Sequence, residues 1–320
     1  MLLVFILLLT ALILPVVRPA RGEASPDLSL SNPDANERTK RLYETILRLY
    51  GKKMLSSQME SNWRGVSGSE MEYVKAATGK LPAMRGLDFI DNDFDGVVRR
   101  ATDWDKRGGV VTICWHTGVG ISGYKESQEE SPDFDRLFLE GTPENVTLTQ
   151  SWARAARALK ELQDRNIPVL WRPFHEFDGQ WFWWGRGGPD CFIRLWRLMY
   201  RTFTETFGLN NLIWVLGYSG EVKDGWYPGD EYVDIAGSDT YDGSTHLRGW
   251  ERLQKITRKP LAFHECGKLP DDIRAFERDG AMWAWFMPWH TRYLRENEPE
   301  RLKAAYDSGL VVTLEDMPKF

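Results

Sequence analysis

The strongest constraint in this sequence is a repeated alternation. Eight short runs rich in apolar and β-branched residues recur along the chain, and helical patterns separate most of them. The runs are Lys53–Gln58, Pro82–Phe89, Val110–His116, Val169–Glu176, Leu212–Tyr218, Val233–Tyr241, Pro260–Glu265 and Ala281–Trp289. Strand-like runs that alternate with helices imply a parallel sheet. Eight such units predict one α/β fold, a single (β/α)8 TIM barrel, with its chemistry at the C-terminal strand ends. The helical patterns are explicit. Residues 150–165 carry Trp152, Ala156, Leu159 and Leu162 at helical spacing. Residues 189–207 carry Phe192, Leu195, Trp196, Met199 and Phe203, with Asp190 as the expected cap. Arg38–Tyr50 reads as an amphipathic helix stopped by Gly51.

Residues 2–17 are an apolar run, too short for the ~20 residues of a membrane span and interrupted by Pro15. Residues 1–22 therefore read as a signal peptide, with Ala20-Arg-Gly22 as the cleavage site. The expected protein is secreted and extracellular. An uncleaved anchor is the alternative, because no Lys or Arg precedes the apolar run. Residues 23–37 read as a linker and 38–320 as the catalytic domain. With a net charge of −5 and no basic block, neither nucleic acid nor an anionic membrane surface is an expected partner. The three cysteines, Cys114, Cys191 and Cys266, have no disulfide or zinc spacing and read as free thiols. Asn145-Val-Thr147 is a glycosylation sequon, usable if the host glycosylates secreted proteins. The chain is expected to act as a monomer.

Two strand ends carry the same pair. Val169-Leu-Trp-Arg-Pro-Phe-His175-Glu176 ends in His-Glu, and so does Lys259-Pro-Leu-Ala-Phe-His264-Glu265. Pro173 stops the first ladder, since proline has no N–H to donate. Beyond Glu176 lies a dense aromatic group, Trp181, Phe182, Trp183 and Trp184. Apolar surroundings disfavour a carboxylate, so Glu176 is expected to hold a proton near neutral pH. Two strand-end glutamates suit retaining glycoside hydrolysis, which needs an acid/base and a nucleophile roughly 5–5.5 Å apart. Trp115 and Trp171, inside strands, read as core. Four of the five histidines, His116, His175, His264 and His290, fall at strand ends. That clustering leaves a metal-dependent hydrolase open as a rival. No His-x-His or His-Glu-x-x-His spacing is present, and no aspartate stands out as a partner, so neither metal nor cofactor is expected. Asp239 and Asp242 read as structural or loop residues. The segment Thr117–Thr149 reads as a long connection forming one wall of the cleft.

Arg172-Pro-Phe-His-Glu176 with Trp181-Phe-Trp-Trp-Gly185 resembles the acid/base motif of glycoside hydrolase family 26, the β-mannanase family. Lys259 to Gly267 resembles its nucleophile strand, and the likeness spans about Thr39 to Pro318. The resemblance implies a retaining endo-β-1,4-mannanase whose partner is a β-mannan-type polysaccharide: mannan, glucomannan or galactomannan. Mixed-linkage β-glucan and β-1,3-xylan are alternatives within the family, and a non-catalytic sugar-binding barrel is an alternative outside it. By resemblance Glu176 is the acid/base and Glu265 the nucleophile. His116, His175, Trp181, Tyr241 and Trp289 match substrate-site residues, with Tyr241 bonded to the nucleophile. His290 departs from the pattern, since many relatives place arginine there. His290 and Arg172 are still counted with the substrate-binding residues, and Arg172, read from its charge, is also a buried partner that keeps Glu265 ionised.

Overall fold

The computed structural model describes residues 29–64 and 68–320. The expected signal peptide and the start of the expected linker lie outside the described residues. Eight parallel strands close on themselves in sequence order: β1 (Met54–Met59), β2 (Met84–Asp88), β3 (Val110–Cys114), β4 (Val169–Arg172), β5 (Leu212–Tyr218), β6 (Ile235–Thr240), β7 (Leu261–Cys266) and β8 (Trp285–Pro288). Each pairs with the next, and β8 returns to β1 through Leu55 opposite Trp285, so the expected (β/α)8 barrel is formed. A two-residue β9 (Val311–Val312) pairs with the first residues of β1.

Strand alternation sorts the side chains into two cores. In β4, Val169 and Trp171 face the helices while Leu170 faces the barrel interior. Arg172 continues the inward row and ends it with a charge. Inside the barrel, Leu55, Met59, Met84, Val110, Leu170, Ile213, Ile235, Ala262 and Trp285 fill the space. Outside it, Trp171 stacks on Phe203 at 6.0 Å, and Trp214 packs against Trp196 and Tyr200. Trp115 and Trp171 are buried, as expected of core residues.

Two helices differ from their sequence reading. The helix expected from residue 150 begins at Pro143, because Thr142 caps it through Asn145 N and proline suits a first turn. The apolar spacing that betrays the helix starts only at Leu148, so the first turn was masked by polar residues. The next helix begins at Gly188, which places Asp190 inside the first turn rather than at the cap. Pro189 sets that start. The connection after β3 is not open loop either. It holds short helices at Tyr124–Glu129 and Phe134–Leu137.

The described part of the expected linker is docked beneath the barrel. Asn36 N donates to Asn210 O at 2.8 Å, and Lys259 Nζ donates to Ser29 O. Asn36 Oδ1 accepts from Thr39 N at 2.9 Å and caps the helix Glu37–Leu49, which buries Leu42, Tyr43 and Ile46 against the barrel floor. Each such burial stabilises by roughly 1.5–3 kcal/mol. Among the described residues no helix is long and apolar enough to cross a membrane. All three cysteines are free.

Asn36→Ala removes the cap and the bond from Asn36 Nδ2 to Asn210 Oδ1 at 3.3 Å, and keeps the backbone bond. The variant should lose about 1 kcal/mol, seen as a lower urea midpoint with an unchanged slope. An unmoved midpoint would contradict the docking of this segment.

Candidate active site

The end of β4 builds the site's first half. Pro173 removes a ladder donor and the strand stops at Arg172, as the sequence predicts. Phe174 and Glu176 then take left-handed conformations, with φ of 52° and 54°. Such φ values are uncommon in residues with a side chain, and they cluster where geometry serves function. The conformation is fixed by Glu176 N donating to Gly217 O at 2.7 Å. Trp184 Nε1 also donates to His175 O, and Trp183 Nε1 to Thr117 O, each at 2.9 Å. The buried tryptophans therefore brace the catalytic-end loop rather than line it.

The end of β7 builds the second half. Its register shifts between Phe263 and Cys266 against β8. A bulge breaks strict alternation, and here consecutive residues His264 and Glu265 both reach the same guanidinium. Arg172 Nη1 donates to Glu265 Oε1 at 2.9 Å and lies 2.8 Å from His264 Nε2, while Arg172 Nε donates to Thr112 Oγ1. Tyr241 donates to the other oxygen of Glu265 at 3.2 Å. His264 Nδ1 lies 2.8 Å from Asp239 Oδ1, which also accepts from Glu265 N at 3.0 Å. The tautomer that satisfies every contact has Nδ1–H donating to Asp239 and Nε2 accepting from Arg172. Burial and then Arg172 hold His264 well below the ordinary imidazole range, in agreement with a neutral ring. Glycine at 217 makes room for that ring: a Cβ there would lie 2.5 Å from it.

A cavity of about 780 Å³ opens above these groups. Of the expected site residues, His116, His175, Glu176, Tyr241, Glu265, Trp289 and His290 line it. Trp181 stands at the rim, 42% exposed, and its Nε1 donates to Glu176 Oε2 at 3.0 Å. Arg172 does not line the cavity. It is fully buried, and its guanidinium is used by Thr112, His264 and Glu265. Its expected place among substrate contacts is therefore corrected, while its expected pairing with the nucleophile candidate is present.

The two glutamates sit in unlike surroundings. Burial, followed by the charge of Glu265, pushes Glu176 up to about 7. Burial also raises Glu265, but Arg172 and Tyr241 supply hydrogen bonds that favour its charged form. Glu176 is held by the Trp181 indole and lies beside the Asp239 carboxyl, where Glu265 has a guanidinium and a phenol. The histidines divide as well. His175 is held well below the ordinary range by burial, then by His116. His290 is pushed down to about 4 by burial, then by Arg64. Burial alone would lower His116, but Asp88 lies 2.6 Å from its Nδ1, reverses the effect and leaves it raised.

Aspartates are what the sequence reading missed. Asp88, at the end of β2, holds His116 by its ring and its backbone N. Asp239, at the end of β6, orients His264 and the backbone of Glu265. The available signal was an acidic residue closing an apolar strand run, on the face where barrels place function. Asp88, Cys114 and His116 lie close enough to ligate a metal, as do Asp239, His264 and Glu265. In the first group Asp88 already holds His116 and Cys114 Sγ donates to Leu87 O, and in the second His264 is held by Asp239 and the Arg172 cation lies 2.9 Å from Glu265.

Asp88→Asn removes the charge that raises His116 while burial remains. The imidazole should then titrate below the ordinary 6.5, as measured by NMR of the labelled ring. Titration still above that value would contradict the pairing. Gly217→Ala should displace His264 and cost about 1–3 kcal/mol, as expected of overpacking, with activity falling alongside thermal stability.

Comparison with known proteins agrees with this geometry. The sequence model of Glycosyl hydrolase family 26 matches residues 31–316. A mannan endo-1,4-beta-mannosidase of Thermothelomyces thermophilus is 33% identical over 93% of this chain and 65% of its own length. Mannan endo-1,4-beta-mannosidase B of Piromyces is 31% identical over 91% of this chain and 54% of its own. The chain thus spans between half and two thirds of these relatives. Among solved structures, the β-mannanase from a symbiotic protist of the termite Reticulitermes speratus superposes with a TM-score of 0.84 and 30% identity. It covers 92% of this chain and 99% of that one, and it was solved with a gluco-manno-oligosaccharide. A ruminal endo-β-1,4-mannanase gives 0.85 at 28% identity, over 92% of this chain and 71% of that one. With a closed eight-stranded barrel, two strand-end glutamates over a buried arginine and a family match along nearly all described residues, this chain belongs to glycosyl hydrolase family 26.

Proposed function

We propose that the protein is an endo-β-1,4-mannanase that cleaves mannan, glucomannan or galactomannan with retention of configuration. The observation that carries this reading is the asymmetry of the two carboxyls across one cavity. Glu176 is half-buried, held by the neutral Trp181 indole and raised to about 7, whereas Glu265 is gripped by Arg172 and Tyr241. Such a pair separates an acid from a nucleophile. The relatives' names support β-1,4-mannan as the substrate class.

In the first step the Glu265 carboxylate attacks the anomeric carbon. The bond to the leaving sugar's oxygen breaks, and Glu176 gives that oxygen its proton. A glycosyl ester on Glu265 results. In the second step Glu176 takes a proton from water, the water oxygen attacks the anomeric carbon, and the ester bond breaks to restore Glu265. His116, held by Asp88 through Nδ1, offers its other ring nitrogen to the bound sugar. His175 and His290, both neutral, offer hydrogen bonds to hydroxyls, and Trp289 offers an aromatic face. No cofactor takes part. The leader-like residues 1–22 support action outside the cell, and a mature protein beginning at Glu23 by N-terminal sequencing would agree with it.

Reducing-sugar release from purified polysaccharides tests the substrate. Mannans should be cleaved, and activity on barley glucan with none on mannan would contradict the reading. Glu265→Gln should lose roughly 10⁴-fold or more in turnover on every substrate, because the first bond never forms. Its oligosaccharide binding should persist. Binding without any hydrolysis by the parent protein would instead make this a sugar-binding barrel. The pH profile has a definite sign. Activity should fall as pH rises through about 7, where Glu176 loses its proton, and should fall in acid as Glu265 gains one. An alkaline limb that stays in place in Glu176→Ala would contradict the assignment.

A further inference from the structure

Glu176 must deliver its proton to the leaving oxygen, so the sugar carrying that oxygen lies against whatever surrounds Glu176 on the side away from Glu265. Trp181, bonded to Glu176, forms one part of that surrounding. A second exposed aromatic stands nearby. Tyr124 opens the short helix after β3, lines the cavity and is 43% exposed. Its ring packs on His116 at 5.2 Å. Tyr124 and Trp181 also share a neighbour, with ring centroids 6.2 and 6.4 Å from that of Phe182. Among the described residues the Tyr124 hydroxyl has no hydrogen-bond partner. Burial and the charges of Glu176 and Glu265 push the phenol up, so it keeps its proton over the working range.

One side chain ties the two aromatics together. Arg186 donates to the carbonyls of Glu130, at 2.6 Å, and Gln128, both in the segment that carries Tyr124. It also donates to the carbonyl of Trp181 at 3.3 Å. Glu130 Oε2 accepts from Val119 N, and Ser127 Oγ donates to Tyr124 O, so the segment itself is closed by its own hydrogen bonds. The guanidinium fork spans two loops from different strands at the rim, a geometry a lysine cannot reproduce.

We propose that Tyr124 is the second wall of the leaving-group subsite, facing Trp181 across Phe182, and that Arg186 is a positioning residue that fixes the gap between them. The subsite takes a neutral pyranose, one face on the Trp181 ring and a hydroxyl on the Tyr124 phenol. This rests on the mannanase reading above and adds a specificity residue that the sequence signal did not reveal.

Two substrates separate the proposal from that reading. β-Mannopentaose places a sugar in the leaving-group subsite, and a dinitrophenyl β-mannobioside leaves without one and without needing a proton. Tyr124→Ala should lower kcat/KM on mannopentaose about 10-fold or more and change the aryl substrate less than about twofold. Tyr124→Phe, which keeps the ring, should fall between parent and alanine variant. Arg186→Ala should show the same split, with the loss mainly in KM. Equal losses on both substrates, or none on mannopentaose, would overturn the subsite. A parent protein that cleaves neither would overturn the mannanase reading itself. Urea midpoints confirm folding, and Tyr124→Phe carries the test should the alanine variant not fold.

Discussion

The site depends on one buried cation. Arg172 ends the inward row of β4 with no solvent exposure. A guanidinium cannot shed its charge, so it must be paired where it stands. Thr112, His264 and Glu265 do this from β3 and β7. The same arrangement decides the chemistry. Arg172 offsets the burial that raises the carboxyl it touches, and the carboxyl it does not touch is pushed up to about 7. Removing the arginine would leave Glu265 as a lone buried charge, and the distinction between the two glutamates would disappear with it.

Around that pair the fold supplies space and aim. Gly217 clears a place for His264, the register shift in β7 turns two consecutive side chains toward Arg172, and left-handed backbone at Phe174 and Glu176 buries the first against Trp152 and Trp184 and brings the second to the cavity. Aspartates then set the histidines apart. Asp88 favours the charged form of His116, while Asp239 holds His264 as a neutral bridge to the guanidinium. His175 and His290 are lowered by burial first and by a positive neighbour second. One residue type thus differs in charge and in bonding from strand to strand, according to its neighbours.

Much of this was legible in the sequence because it is local. The eight strands are apolar runs between helical patterns, and each was found in place, with ends overshot where the chain leaves the ladder at His116 and Glu176. Both glutamates and the pairing of Arg172 with Glu265 were legible because charges closing apolar strands stand out. What was not legible depends on neighbours from other strands. Asp239 looks like a loop residue until His264 from β7 is beside it. Asp88 looks unremarkable until His116 from β3 meets it. Tyr124 sits in a polar stretch with no periodicity, so only the folded path of residues 117–142 brings it to the cavity. Asp190 was misplaced because capping residues and first-turn acids share one composition, and Pro189 fixes which it is.

The central claim is that Glu265 carries the covalent bond while Glu176 moves the proton. A 2-deoxy-2-fluoro-mannosyl inactivator with a good leaving group traps the glycosyl enzyme, because the fluorine slows its breakdown. Mass spectrometry of the digested protein should then find a single label, on the peptide spanning Glu265. A label on the peptide spanning Glu176 would contradict the account.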